Sequence, residues 1–297
     1  MNQTRRGHVK APNAPVVVGI DGSASALAAT SWAAAECTRH HVPLRLVHGF
    51  MPPTTNYPEM LISGDEVRRA IEDQAREWLT EAAAAARSTA PEVEVATAAV
   101  CCGGAGLLVE ESKRARLVVV GSRGLGAVTG LLVGSTAVSL AAHVRSPLVV
   151  VRGTTTPDSP VVVGVDGSPA SETAVAFAFE AASARGAALV AVMTSQDFTV
   201  DSAYNVSRIA IDWAQVEEDE RRALAQRLAG WQEKYPDVEV RRVVLRDRPA
   251  RALMRYGAEA QLLVVGSHGH GGFAGMLLGS TSQALVRHAP CPLAIVR

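Results

Sequence analysis

The sequence predicts an α/β protein made of two tandem domains, each a parallel β-sheet packed between helices, and three observations point there. Its 297 residues exceed an ordinary single α/β domain and suit two. The segment Val16-Val-Val-Gly-Ile-Asp-Gly-Ser23 recurs as Val161-Val-Val-Gly-Val-Asp-Gly-Ser168. Within each copy short apolar runs alternate with longer Ala-rich stretches of helical periodicity, the pattern of successive βαβ units. Hydrophobic residues make up 48% of the chain and aromatics only 4%, so the cores must be built from Val, Leu, Ile and Ala. Such residues suit strands buried on both faces under close-packed helices.

The repeat is a duplication. Residue 161 repeats residue 16, an offset of 145, and that offset also maps Gly121-Ser-Arg-Gly124 onto Gly266-Ser-His-Gly269 and Gly134-Ser-Thr136 onto Gly279-Ser-Thr281. His143 and Pro147 map onto His288 and Pro292. Repeats of this length are whole domains rather than solenoid units. Between them Gly153 to Pro160 is polar and carries two prolines, which cannot continue a ladder or a helix. The expected organisation is a flexible tail over 1–14, a first domain over 15–152, a linker over 153–159 and a second domain over 160–297.

Element by element, the first half predicts strands at Val16 to Ile20, Leu44 to His48, Val93 to Ala98, Leu117 to Val120 and Leu148 to Val151. The second half repeats them at Val161 to Val165, Ala188 to Val192, Glu239 to Val244, Leu262 to Val265 and Leu293 to Val296. Helices are expected at Ala24 to His40, Asp65 to Arg87, Ala105 to Arg114 and Thr136 to Val144. In the long one Val67, Ile71, Trp78 and Leu79 recur at near-helical spacing, which makes Trp78 a packing residue.

Charge and cysteine content exclude several classes. Lys plus Arg and Asp plus Glu both number 29, so no net field favours a nucleic acid or an anionic membrane surface. Cys37, Cys101, Cys102 and Cys291 show no CxxC spacing and read as reduced thiols, not as a disulfide framework or a zinc site. The first residues lack the apolar core of a signal peptide, and no apolar run approaches the roughly 20 residues of a membrane helix. A soluble, cytoplasmic protein is expected.

The strongest local motif is Gly-x2-Gly-x9-Gly-Ser, present as Gly121, Gly124, Gly134 and Ser135 and again as Gly266, Gly269, Gly279 and Ser280. Each copy begins where an apolar strand ends and closes where a helix starts, the place at which open parallel sheets bind ligands. Glycines let backbone N–H groups approach an anion, and a helix start offers unpaired donors, so phosphate oxygens fit such a cradle. Ser135 and Ser280 read as N-caps in an empty site and as hydroxyl donors in a filled one. The plainer alternative is a glycine-rich connection needed only for a tight turn.

Asp21 and Asp166 end the first strand of each half, on the same edge as the glycine loop. A ribose diol or a phosphate-bound Mg²⁺ would use such a carboxylate; the alternative is that each Asp caps the helix that follows. Neither GxxxxGK[ST] nor a Rossmann fingerprint after the first strand is present, and no GxSxG surrounds Ser122 or Ser267. Arg123, His268 and His270 are the only loop side chains able to meet phosphate charge or a proton, thin equipment for hydrolysis, and the two histidines lack a third partner for a metal.

With Val-Gly-Ile-Asp-Gly-Ser, the glycine loop and the closing Pro147-Leu-Val-Val-Val-Arg152, the chain resembles the universal stress protein family twice over, from Val16 to Arg297. The resemblance implies two tandem doubly wound domains, each a five-stranded parallel sheet of order 3-2-1-4-5 flanked by helices, and the ATP-binding branch of the family. Carried over by position, it implies Asp21 for ribose, the backbone around Gly19 and Gly49 for adenine, and Gly121, Gly124, Gly134, Ser135 and Thr136 for phosphate. The matching positions in the second half are Gly164, Asp166, Thr194, Gly266, Gly269, Gly279, Ser280 and Thr281. It also implies pairing through the last strands, with Leu148 to Val151 joining Leu293 to Val296 as an internal pseudo-dimer, and a homo-oligomer formed through those strands. The halves differ where Cys101-Cys-Gly-Gly104 stands against Arg246-Asp-Arg-Pro249, and where Arg123 stands against His268.

The function expected is that of a regulatory stress-response protein with one adenine nucleotide per domain, ATP with or without Mg²⁺, whose occupancy tunes conformation or the binding of a protein partner. The alternatives are a slow ATPase or nucleotide-hydrolysing switch, with no catalytic residue legible, and a scaffold that uses the repeat only to dimerise. The segments Met51 to Pro58 and Ser195 to Asp212 are long loops beside the site and read as lids.

Overall fold

The computed structural model describes residues 13–51, 64–124, 134–153, 156, 158–195, 213–269 and 277–297. The expected tail falls almost entirely outside them, as do most of both expected lids and His270. The first half runs β1 (Val16–Gly19), α1 (Ala24–His40), β2 (Leu44–Phe50), α2 (Gly64–Thr89), β3 (Val95–Cys101), α3 (Gly104–Glu111), β4 (Leu117–Gly121), α4 (Ser135–His143) and β5 (Leu148–Val151). The second runs β6 (Val161–Val165), α5 (Pro169–Ser183), β7 (Leu189–Ser195), α6 (Trp213–Lys234), β8 (Val240–Arg246), α7 (Pro249–Gly257), β9 (Leu262–Gly266), α8 (Ser280–His288) and β10 (Leu293–Val296).

The ten strands of the described residues form one sheet, ordered β3-β2-β1-β4-β5-β10-β9-β6-β7-β8. Read from each end, both halves have the order 3-2-1-4-5, and every pairing inside a half is parallel. The helices lie on both faces. One apolar layer joins α1, α2, α5 and α6 to side chains such as Val16 and Val18; the other joins α3, α4, α7 and α8 to Val17 and Val118. Alternation along each strand feeds both layers, so the central strands read as unbroken apolar runs. Ala26, Ala29, Ala33 and Ala34 on α1 are buried, and their small side chains let that helix lie close to the sheet.

The halves meet at an antiparallel pair, β5 with β10, in the register Leu293 with Val150, Ala294 with Val149 and Ile295 with Leu148. The expected internal pairing of the last strands is therefore present. Each of these strands now has a neighbour on both sides, so neither offers an edge to another chain. The expected homo-oligomer through the last strands is corrected to pairing within one chain.

Side chains reinforce this seam on both faces. Arg152 follows β5 and donates through Nη2 to Val286 O at 2.5 Å, while Arg297, its counterpart after β10, donates through Nη2 to Ala141 O at 2.7 Å. Each arginine thus serves last-turn carbonyls of a helix in the opposite half, which lack partners within that helix. On the other face Glu36 of α1 pairs with Arg185 just after α5, and both side chains are almost fully buried. His40 lies 3.0 Å from Glu36, Arg116 pairs with Glu180, and the Arg185 guanidinium lies 5.7 Å from the centre of the Trp32 ring. Burial alone would raise the Glu36 carboxyl, but the hydrogen bond with His40 and the charges of Arg185, His40 and Arg39 outweigh it and hold the group at about 2. Among the described residues no helix is long and apolar enough to cross a membrane.

Breaking this pair should cost stability, because Arg185 would be left buried without its carboxylate partner. Glu36→Gln is expected to lower unfolding free energy at pH 7 by about 3–5 kcal/mol in urea titrations. Because the folded carboxyl sits below its ordinary value of 4.5, its contribution is complete above that pH and disappears as pH falls toward about 2. The variant should therefore show a flatter acid dependence over that window than the native chain.

Candidate functional site

The site is built where β1 hands over to α1 and β4 to α4, and again at β6–α5 and β9–α8. After β1 the chain turns through Gly22 at φ 78°, and after β6 through Gly167 at φ 81°, a left-handed backbone that favours glycine. Ser23 and Ser168 then cap the helices: Ser23 Oγ accepts from the Ala26 amide at 3.1 Å and Ser168 Oγ from the Ser171 amide at 3.2 Å. The two aspartates are not the caps; they hold the caps in place. Asp21 Oδ1 accepts from the Ser23 amide at 3.1 Å and its hydroxyl at 2.6 Å, and Asp166 Oδ1 accepts from the Ser168 amide at 2.9 Å.

The glycine loop is tied to this turn. Ser23 Oγ lies 3.3 Å from Arg123 O, and Ser168 Oγ lies 3.3 Å from His268 O. Gly124 sits against the Asp21 carboxylate so closely that a Cβ there would collide with Oδ2, and Gly269 stands in the same relation to Asp166. Gly121 packs on the backbone of Ser25 and Gly266 on that of Ala170, which brings each strand end onto the first turn of the neighbouring helix. The loop is pinched shut where the Gly134 amide donates to Ser122 O at 3.0 Å and the Gly279 amide to Ser267 O at 2.8 Å. Residues 125–133 and 270–276 of the two loops lie outside the described residues.

Gly134 and Gly279 are the N-cap residues of α4 and α8, and neither helix receives a side-chain cap. The expectation that Ser135 and Ser280 are N-caps is thereby corrected: each is the first residue inside its helix. A glycine cap leaves first-turn amides without a side-chain acceptor, and they open on the edge that carries the aspartate. Thr136 and Ser280 are exposed and Thr281 is half-buried.

The remaining expected residues reach the same strand ends but touch helices. The space beside Gly19 is filled by Leu108 of α3, and that beside Gly164 by Leu253 of α7; a Cβ would lie 2.7 Å and 3.0 Å from their Cδ1 atoms. Gly49 of β2 abuts Gly104 at the start of α3, where a Cβ would meet Gly104 Cα at 2.7 Å. Its counterpart Thr194 lies in β7 opposite Leu245. Two residues were not foreseen at the turns. The Trp78 ring lies on Gly22, and at the matching turn the Arg227 guanidinium lies on Gly167 and pairs with Glu172 at 2.5 Å. The His48 ring meets Trp78 edge-on at 5.3 Å and its Nδ1 lies 2.7 Å from Ile20 O. Arg123 is exposed, while His268 Nδ1 lies 3.0 Å from Ser267 Oγ. Among the described residues no three His, Cys, Asp or Glu side chains gather as a metal site. Cys37 and Cys291 are buried, and burial pushes both thiols up to about 12.

Fold and edge geometry together define a tandem doubly wound α/β protein in which a loop glycine of each half, Gly124 or Gly269, lies against an aspartate at the carboxyl ends of the strands. The chain belongs to the universal stress protein family, whose model matches residues 13–152 and again residues 159–297. It is 41% identical over 293 residues to a universal stress protein of Mycolicibacterium smegmatis, covering 95% of this chain and 96% of that one. A universal stress protein of Mycobacterium tuberculosis is 40% identical over 294 residues, covering 95% and 96%. In fold it is similar to a crystal structure of a universal stress protein from Archaeoglobus fulgidus, at 17% identity and a TM-score of 0.69, over 96% of this chain and 98% of that one.

Because Ser23 caps α1 and also ties the turn to the loop, Ser23→Ala should lower unfolding free energy by about 1 kcal/mol in denaturant titrations. Ser23→Thr, which keeps both the acceptor for the helix amide and the hydroxyl donor to Asp21, should recover most of it.

Proposed function

We propose that each half binds one adenine nucleotide, ATP, and that its occupancy regulates the protein's conformation and its binding of a protein partner in the cytoplasm under stress. The observation that carries this reading is the repeated fit of a side-chain-free loop position to a carboxylate: Gly124 on Asp21, and Gly269 on Asp166. A ribose diol is a hydrogen-bond donor suited to those carboxylates, and the uncapped first turns of α4 and α8 suit phosphate oxygens, through Gly121, Gly124, Gly134, Ser135 and Thr136 and through Gly266, Gly269, Gly279, Ser280 and Thr281. Adenine would lie toward the backbone of Gly19 and Gly49 in one half and of Gly164 and Thr194 in the other. Mg²⁺, if carried in with the triphosphate, would find an oxygen ligand in either aspartate. The two functional units are residues 15–152 and 160–297, joined through 153–159. Arg123 and His268 give the two loops different charge, and the two sites are expected to differ in affinity.

The test is ATP binding by the full chain. Gly124→Val should weaken one class of site and Gly269→Val the other, each by about tenfold or more in calorimetry, while circular dichroism and thermal unfolding confirm that the variants fold. Unchanged affinity in both folded variants would rule the reading out. Mass analysis of nucleotide released on denaturing the purified native chain should find ATP.

A further inference from the structure

The two ends of the ten-stranded sheet are chemically opposite. β3 and β8 are its terminal strands and occupy equivalent places in the two halves. From Glu239 to Tyr256, through β8 and α7, the chain carries six arginines against two acids, Glu239 and Asp247. Arg241, Arg242, Arg246, Arg248, Arg251 and Arg255 are all exposed. Their counterparts at the repeat offset are Ala96, Thr97, Cys101, Gly103, Gly106 and Glu110, so the sister domain builds the same fold with no basic residue there.

Edge protection alone does not account for the difference. Charged side chains commonly blunt a sheet edge, but Ala96, Thr97, Ala99 and Cys101 leave β3 just as exposed without any. The arginines are also placed on both sides of the open ladder. Arg242 and Arg246 share the strand face of Val240 and Val244, and Arg241 shares the face of Val243 and Leu245. Glu239 pairs with Arg241 and Asp247 with Arg251, and by sequence the segment from Glu239 to Tyr256 carries a net charge of +4.

We propose that β8 is a docking edge for an extended acidic segment of a partner protein, which adds to the sheet as an eleventh strand. Among the described residues β8 pairs only with β7, and an added strand would bond to alternate backbone N–H and C=O groups along its other side. Main-chain bonds would supply the affinity, and carboxylates facing the guanidinium groups would supply the selection. A second copy is the weaker fit, because joining its β3 to this β8 is a head-to-tail contact that repeats without closing.

The experiment uses the full chain and a fluorescent twelve-residue peptide of alternating glutamate and threonine, followed by anisotropy. Binding is expected, weakening as salt rises. Arg242→Glu/Arg246→Glu should weaken it by about tenfold or more, whereas Thr97→Glu on β3 should leave it unchanged. The same peptide N-methylated at alternate residues keeps its charge but cannot form a ladder, and it should bind the native chain about tenfold or more weakly. Equal binding of the two peptides overturns strand addition. Tighter, arginine-dependent binding of a twenty-residue thymidine oligonucleotide overturns the acidic partner, and an oligomer in sedimentation that vanishes on charge reversal assigns the edge to a second copy instead.

Discussion

A five-stranded parallel sheet that ends on four apolar residues presents water with a hydrophobic strand whose outer N–H and C=O groups are unpaired, and such an edge must be covered. In this chain β5 and β10 cover each other. All eight of their residues are buried, from Leu148 to Val151 and from Leu293 to Val296, and fully burying each larger side chain contributes roughly 1.5–3 kcal/mol. The pairing is antiparallel, so the carboxyl ends of the strands in one half point away from those in the other. The two glycine loops therefore stand at opposite margins of one continuous sheet, and the rest of the molecule is arranged around that relation.

The seam also joins the sites mechanically. α1 begins at Ser23, which grips Asp21 and the first loop, and its last turns reach the buried network of Glu36, His40 and Arg185. α5 begins at Ser168 beside Asp166 and ends at the same network from the other half. On the opposite face Arg152 and Arg297 bind the last turns of α8 and α4, the helices whose first turns form the loop ends. Each site thus rests on helices whose far ends are held by the other half. This chain carries within itself an interface that a single domain would need a second chain to form.

Much of this was legible in the residues. α1, β5, β6 and β10 fall where the apolar runs and helical periodicity place them, because strands buried on both faces leave an unbroken signature and an Ala-rich stretch of helical period marks a helix. The outer strands were harder. β3 runs Val95–Cys101 rather than starting at Val93, and β8 extends to Arg246, because an edge strand has one exposed side and its ends are set by the neighbour it pairs with. At the site, glycine spacing located the loops, but the roles at the turn could not be assigned from spacing. Asp21 and Ser23 both suit an N-cap, and only the observed geometry puts the hydroxyl on the helix and the carboxylate on the hydroxyl.

By itself the sequence determined the duplication, the parallel α/β architecture of each half and the positions where the backbone must come close to something, since these follow from local periodicity and from residues that lack a side chain. Tertiary structure decided which residues hold the halves together. Arg185 meets Glu36 across 149 positions of chain and Arg297 meets Ala141 across 156. No local pattern encodes such contacts, because they exist only after β5 and β10 have fixed one domain against the other.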